Sequence, residues 1–214
     1  MCNPASGVFT KGHIAHWSKY SDSHEYIIEE HKLNADGVGG PNIVRFEITP
    51  PDGDMTKPLA DWSYKVDQDI LPDWYDPKEG EAAARKMLTE WAGKKVITGE
   101  SNDLADGEYF IVGNATVSGV RGNATVSGVW DNATVSGVWA NATVSDVWDN
   151  ATVSDVRGNA TVSGVRDNAT VSDVRGNATI ITYVKQDQGC MLSASAVMID
   201  RSVNPPVCYV GVRK

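Results

Sequence analysis

From Asn114 onward the chain repeats a nine-residue unit, Asn-Ala-Thr-Val-Ser-[Gly/Asp]-Val-[Arg/Trp]-[Gly/Asp/Ala]. The unit restarts at Asn123, Asn132, Asn141, Asn150, Asn159 and Asn168, with a degraded copy at Asn177. A short fixed period builds a stacked coil rather than a globule, because each unit can bury its apolar side only against its neighbours. Ala115 and Val117 alternate with Thr116 and Ser118, the spacing of a strand with one buried face. Val120 adds a second inward position after a corner at Gly119, and Gly122-Asn123 supplies the turn into the next unit. Nine residues at about 3.3 Å each enclose a perimeter of only about 30 Å, and two sheets packed about 10 Å apart would leave most of it to the corners. Two units per coil is the smallest comfortable closure. The ninth position carries the mark of that pairing: Gly122, Ala140, Gly158 and Gly176 fall in one column, and Asp131, Asp149 and Asp167 in the other. The array by itself makes about four coils, a rod of about 15–20 Å at about 4.8 Å per coil.

The fold class expected is an α+β N-terminal domain followed by a short parallel β-solenoid with a β-rich C-terminal cap. Residues 1–106 form the head, 107–184 the solenoid and 185–214 the cap. Terminal units of a solenoid depart from consensus. Glu108–Val112 before the array and Ile180–Val184 after it have that character, and read as covers for the open sheet edges. Ser195–Ile199 and Val207–Val212 are further strand-like runs, separated by Asn204-Pro205-Pro206. In the head, Ser21-Asp22-Ser23 starts a helix over His24–Leu33. Asn42–Thr49 alternates as a strand and is stopped by Pro50-Pro51-Asp52-Gly53; Trp62–Val66 is extended, Lys78–Trp91 helical and Lys95–Thr98 a short strand.

Charge is uneven along the chain. Of the net −9, residues 1–113 contribute 11 basic and 20 acidic side chains, the array 4 and 6, and residues 177–214 4 and 2. Direct nucleic-acid binding is disfavoured, since phosphate contact requires a cationic face, whereas an acidic head suits a protein partner with a basic surface. Three cysteines, Cys2, Cys190 and Cys208, are too few for a disulfide framework. Together with the absence of a charged-then-apolar leader they point to a cytoplasmic protein. No apolar run approaches bilayer length, so no membrane association is expected. The Asn-Ala-Thr triplets match a glycosylation acceptor, but stacked asparagines hydrogen-bonding along the rod account for them better.

The stretch Phe46–Met55, continued by Trp62–Tyr75, together with the nonapeptide array, resembles uncharacterised bacterial and phage or prophage proteins that join such a head to a variable array of Asn-Ala-Thr-Val-type repeats. The resemblance implies a bacterial or viral setting, with the bacterial host cytoplasm as the location if the protein is phage-encoded, and supplies no catalytic residue.

Four regions are candidates for function. The eighth repeat position, outward by pattern, holds Trp130, Trp139 and Trp148 among Arg121, Arg157, Arg166 and Arg175. At eighteen residues per coil, Trp130, Trp148 and Arg166 share one column, and Arg121, Trp139, Arg157 and Arg175 the other. Exposed Trp beside Arg has the composition of a contact surface, for a protein partner or a second copy of the chain in a homo-oligomer; the competing reading is that guanidinium and indole stack on each other. Asp52, Asp54, Asp61, Asp67, Asp69, Asp73 and Asp76 crowd one segment with Trp62, Trp74 and Tyr75, either as a binding surface or as solvated, turn-forming acid. His13, His16, His24 and His31 form a third group that could converge on zinc, although no metalloprotease or finger spacing is present. Cys2 has the position of an N-terminal nucleophile without a supporting signature. Outward Thr and Ser ladders resemble those of ice-binding solenoids, but that role goes with a broader, charge-free Thr face. No phosphate loop, nucleophile elbow or kinase motif occurs, and no cofactor is expected. The expectation is a non-enzymatic interaction protein, with a phage-encoded inhibitor of a host protein as one form of it. The alternative is a hydrolase-like enzyme housed in the head, with the solenoid as an assembly or specificity arm.

Overall fold

The computed structural model describes residues 5–37, 40–185, 192–193 and 195–211, and the chain divides into a unit of residues 1–95 and a unit of residues 96–214. In the first unit the elements are β1 (Ser6–Thr10), β2 (Ile14–His16), α1 (His24–Glu30), β3 (Asp36–Gly37), β4 (Gly40–Pro41), β5 (Val44–Thr49), β6 (Ser63–Val66) and α2 (Pro77–Lys95). A four-stranded antiparallel sheet runs in the order β2-β1-β5-β6. The β1–β2 hairpin was not foreshadowed by any alternation. Its turn is made by Gly12 and His13, both at positive φ (84° and 54°). Helix α1 starts where Ser23 accepts a hydrogen bond from the Tyr26 N–H, and ends earlier than its apolar pattern, because Lys32 turns left-handed at φ 52°. Helix α2 runs longer than expected at both ends. Pro77 opens it, and the Asp76 carboxylate accepts from the N–H groups of Lys78 (2.9 Å) and Glu79 (3.0 Å).

The head core is aromatic. Phe9 and Phe46 stack at 4.1 Å, and Trp62 meets Trp91 edge-on at 6.1 Å. Buried beside them, the Asp22 carboxylate accepts from the Trp91 indole N–H (3.0 Å) and from the Lys95 ammonium (3.0 Å). Each of the three polar groups is thereby satisfied out of water.

The second unit is the solenoid, with two parallel sheets that share the coil. One holds Glu100–Leu104, Thr116–Val120, Thr134–Val135, Thr152–Val153 and Thr170–Val171. The other holds Val96–Ile97, Glu108–Ile111, Thr125–Val129, Thr143–Val144, Thr161–Val165, Thr179–Thr182 and Val197–Asp200, closed by the antiparallel strand Val207–Val210. Within the array the register is uniform: Thr116 pairs with Thr134, Thr134 with Thr152, Thr125 with Thr143 and Thr143 with Thr161. Paired nonapeptides therefore wind once around the axis. There are about five coils rather than the four that the consensus units alone require, because both flanks join the parallel ladders. Glu108–Ile111 and Thr179–Thr182, expected as covers over the open edges, are coil strands. The expected head boundary at residue 106 falls inside the first coil, between Glu100–Leu104 and Glu108–Ile111.

The interior is built from three positions of each unit, exemplified by Ala142, Val144 and Val147, all fully buried. Each such valine removes a side chain from water at a gain of about 1.5–3 kcal/mol, so that an irregular hydrophobic core is replaced by ladders of identical neighbours. The ninth position is left-handed throughout: Gly113, Gly122, Asp131, Ala140, Asp149, Gly158, Asp167 and Gly176 have φ between 54° and 75°. This conformation, together with Ala N–H bonds back to the eighth-position carbonyl (Ala133 to Trp130, 3.2 Å), makes each turn. The sixth position is not uniform. Asp146, Asp155, Gly164 and Asp173 are left-handed, Gly164 within the strand Thr161–Val165, whereas Gly119, read from sequence as a corner, is not left-handed and lies inside the strand Thr116–Val120. Outside the turns, each asparagine amide donates to the asparagine one coil earlier, as in Asn132 to Asn114 (3.2 Å), Asn150 to Asn132 (3.3 Å) and Asn168 to Asn150 (3.2 Å).

Candidate functional site

Two regions carry the side chains singled out by the sequence. On the solenoid, the eighth-position residues form two lateral columns. In one, Trp130 and Trp148 lie 6.2 Å apart, with Phe110 6.1 Å from Trp130, and farther along the Arg166 guanidinium sits 4.6 Å over the Tyr183 ring. In the other, Arg157 covers the Trp139 ring at 4.7 Å, and Asp155 gathers Arg157 (2.9 Å), Arg175 (3.1 Å) and the Trp139 indole N–H (3.2 Å). Arg121 pairs instead with Asp103 (3.1 Å), one coil toward the N-terminus. The second column is thus largely satisfied within the chain. The first is more apolar, and the indole N–H groups of Trp130 and Trp148 are buried without an acceptor among the described residues.

The tryptophans do not project freely. A Cβ at Gly128 would overlap the Trp130 ring, and one at Gly137 the Trp139 ring, so these two indoles fold back over the glycine two residues before them, whereas Trp148 follows Asp146.

In the head, the acidic segment scatters its carboxylates. Asp76 caps α2, and the backbone hydrogen bond from Glu79 is the main reason its carboxyl titrates below the ordinary range. Asp54 is lowered mainly by its hydrogen bond from the Thr56 hydroxyl. Asp73 and Trp74 line a groove of about 240 Å³ with Ile70, Leu71, Pro41 and Asn42. Ile70 is 70% exposed and Leu71 41%. They are held there by Gln68, whose amide donates to the carbonyls of Ile43 (3.0 Å) and Ile70 (2.8 Å) and whose oxygen accepts from the Arg45 N–H (2.9 Å). Asp69 is exposed beside Ile70. The apolar pair Ile70-Leu71 was passed over in the sequence because two residues carry no periodicity.

The four histidines do not converge. His13 Nε2 accepts from the Asp76 N–H (3.0 Å), so its Nδ1 carries the proton and faces Glu79 at 3.2 Å, while Trp74 and Tyr75 pack on the ring. His16 and His31 lie with ring centroids 5.0 Å apart; burial first, then the neighbouring His31, pushes the His16 imidazole below its ordinary value. His31 Nε2 donates to the Trp17 carbonyl (2.9 Å). His24 joins a different set, with Glu47 and Asp67, and among the described residues this is the one cluster of three or more side chains with metal-ligand geometry. Glu47 was missed because its only signal is parity on β5, where Arg45, Glu47 and Thr49 alternate with the buried Val44, Phe46 and Ile48. Cys208 is exposed and, among the described residues, a free thiol, while Cys190 and Cys2 lie outside the described residues.

Compared with protein-family models, curated proteins and solved structures, the chain matches none.

Proposed function

We propose that the protein is a non-enzymatic interaction protein, in which the acidic head engages a protein partner and the solenoid serves as a rigid platform or homo-oligomerisation unit. The observation that carries this reading is the exposed Ile70-Leu71 pair on a small groove lined also by Asp73, with Asp69 exposed next to Ile70 in the chain. At about 240 Å³ the groove is smaller than the roughly 300–1,000 Å³ of small-molecule sites, and it suits one or two side chains of a partner segment. Apolar contact flanked by carboxylates selects a segment that mixes bulky apolar and basic residues, in keeping with the head's acidic surplus. In the phage or prophage setting that the sequence resemblance implies, such a protein acts as a host-directed inhibitor or decoy. The alternative, a hydrolase-like enzyme in the head, draws on the convergence of His24, Glu47 and Asp67.

The test is selection of a random peptide library on the full chain and on an Ile70→Ser/Leu71→Ser variant. Enrichment of peptides that pair Lys or Arg with a bulky apolar residue, lost in the variant, supports the reading. No enrichment, or the same peptides on both proteins, rejects it. Sedimentation of the wild type against Trp130→Ser/Trp148→Ser addresses the solenoid: a mass that falls to one chain in the variant supports homo-oligomerisation through the aromatic column, and an unchanged mass removes that column from the account.

A further inference from the structure

His24, Glu47 and Asp67 reach one point from three separate elements: the first residue of α1, the middle of β5 and the residue just after β6. One ligand-type atom from each lies within 4.8 Å of the other two. The imidazole is held in place before any ion is considered. Only 8% of His24 is exposed, and its Nε2 lies 3.0 Å from the Phe46 carbonyl. A carbonyl can only accept, so Nε2 bears the hydrogen and Nδ1 is the atom turned toward the carboxylates. A ring N–H bonded to a backbone carbonyl is the arrangement that fixes tautomer and orientation in metal-binding histidines.

The spacing is informative as well. His24 Nδ1 and Asp67 Oδ2 are 3.6 Å apart. That exceeds the reach of an N–H···O hydrogen bond, but it is close to the roughly 3.4 Å that separates two ligands on a tetrahedral ion with bonds of about 2.1 Å. Glu47 is partly buried and Asp67 exposed, so the buried imidazole forms the floor of the cluster and the more exposed carboxylates its rim. Asp67 is anchored by its own N–H to the Arg45 carbonyl (2.9 Å), which leaves its side chain to close by rotation alone. Two cations stand nearby. Lys65 is the register partner of Glu47 on β6, and Arg45, two residues before Glu47, lies 3.9 Å from Glu25.

We propose that His24 Nδ1, Glu47 and Asp67 bind a first-row divalent metal ion of the zinc class, with one nitrogen and two carboxylate ligands and the remaining coordination left to water or to a ligand. One imidazole with two carboxylates suits Zn²⁺, or Co²⁺ as its spectroscopic substitute, better than the all-oxygen sets that Mg²⁺ and Ca²⁺ favour. The inference does not depend on the partner-binding groove, which uses Ile70, Leu71, Asp73 and Trp74.

The experiment is titration of the chelator-treated full chain with Co²⁺, followed by visible absorption and by equilibrium dialysis, and then by displacement with Zn²⁺. The variants Glu47→Gln and Asp67→Asn keep shape and remove one charge each at positions that are not fully buried, and His16→Asn/His31→Gln is the control for the other histidine pair. The proposal expects one equivalent bound, a ligand-field spectrum displaced by Zn²⁺, and affinity weakened at least tenfold in each carboxylate variant with the control unchanged. Absence of stoichiometric binding would overturn it. Binding that survives both carboxylate variants, or is lost only in the control, would overturn it equally.

Discussion

Ala140 is the one residue in the ninth-position column that is neither glycine nor aspartate, and it holds φ 60°. A left-handed L-residue costs about 1–2 kcal/mol relative to its preferred region. Replacing Ala140 by Gly recovers that cost but returns about 0.4–1 kcal/mol of entropy to the unfolded chain. The net expectation is a solenoid more stable by about 0.5–1 kcal/mol, even though glycine within a strand ordinarily destabilises. The reverse change one coil on, Gly158→Ala, imposes the same backbone cost at φ 75°. It also places a Cβ 3.0 Å from the Ala140 nitrogen, 3.1 Å from its oxygen and 3.2 Å from its Cα, backbone atoms of the coil before. Relief of that contact adds about 1 kcal/mol, so the substitution costs about 2 kcal/mol in all. Taking roughly 4 °C per kcal/mol for a unit of this size, calorimetry of the full chain should show the solenoid transition rise by about 2–4 °C in Ala140→Gly and fall by about 8 °C in Gly158→Ala. A drop in Ala140→Gly, or no change in Gly158→Ala, would refute the left-handed, stacked corner.

Trp139→Phe should destabilise the solenoid by about 1–2 kcal/mol more than Trp148→Phe, read from denaturant midpoints, because Trp139 gives up a hydrogen bond to Asp155 whereas Trp148 gives up a buried N–H that has no acceptor among the described residues. Asp22→Ala strands the Lys95 ammonium in the core and should cost the head about 3–5 kcal/mol, with much of the loss restored by adding Lys95→Met. Head stability should also fall on acidification in two windows. His16, lowered by burial and by His31, contributes stability above its unfolded value of about 6.5 that is lost as pH falls through the folded value, and His31→Gln should flatten this slope. Asp76, lowered by its caps, contributes above about pH 3.9 and loses that contribution below it; melting temperatures of Asp76→Asn should lack this second decline.

The coil was legible in the sequence because in a solenoid the tertiary neighbour of each residue is its own copy: Val117 meets Val135 through the same period that a reader counts along the chain. The same logic placed Trp130 over Trp148 and Arg157 over Trp139. It failed at the ends, since Glu100–Leu104 pairs with Thr116–Val120 at a spacing of sixteen residues and without a trace of the consensus. It also could not show that the indoles lie flat on Gly128 and Gly137, because side-chain direction is decided by the space a missing Cβ leaves. In the head the period is lost and contacts are long-range. The helix at His24 and the strand through Glu47 could be read locally, but the approach of His24 to Glu47 and Asp67 follows from the sheet order β2-β1-β5-β6, which no local pattern specifies. The four histidines illustrate this: proximity in sequence grouped them, whereas the fold sends His24 to Glu47 and Asp67, His13 to Glu79 and Asp76, and His16 and His31 to each other.

The pairing of two nonapeptides per coil is tested most directly by disulfide mapping in a background with Cys2, Cys190 and Cys208 replaced by Ser. Asn132→Cys/Asn150→Cys joins positions one coil apart, where the native side chains meet at 3.3 Å. Asn132→Cys/Asn141→Cys joins positions one unit apart, in different columns on opposite sides of a core about 10 Å thick. Peptide mass spectrometry after mild oxidation should find the first pair bridged within the chain and the second pair reduced. A bridge between residues 132 and 141, with none between 132 and 150, would contradict the eighteen-residue coil.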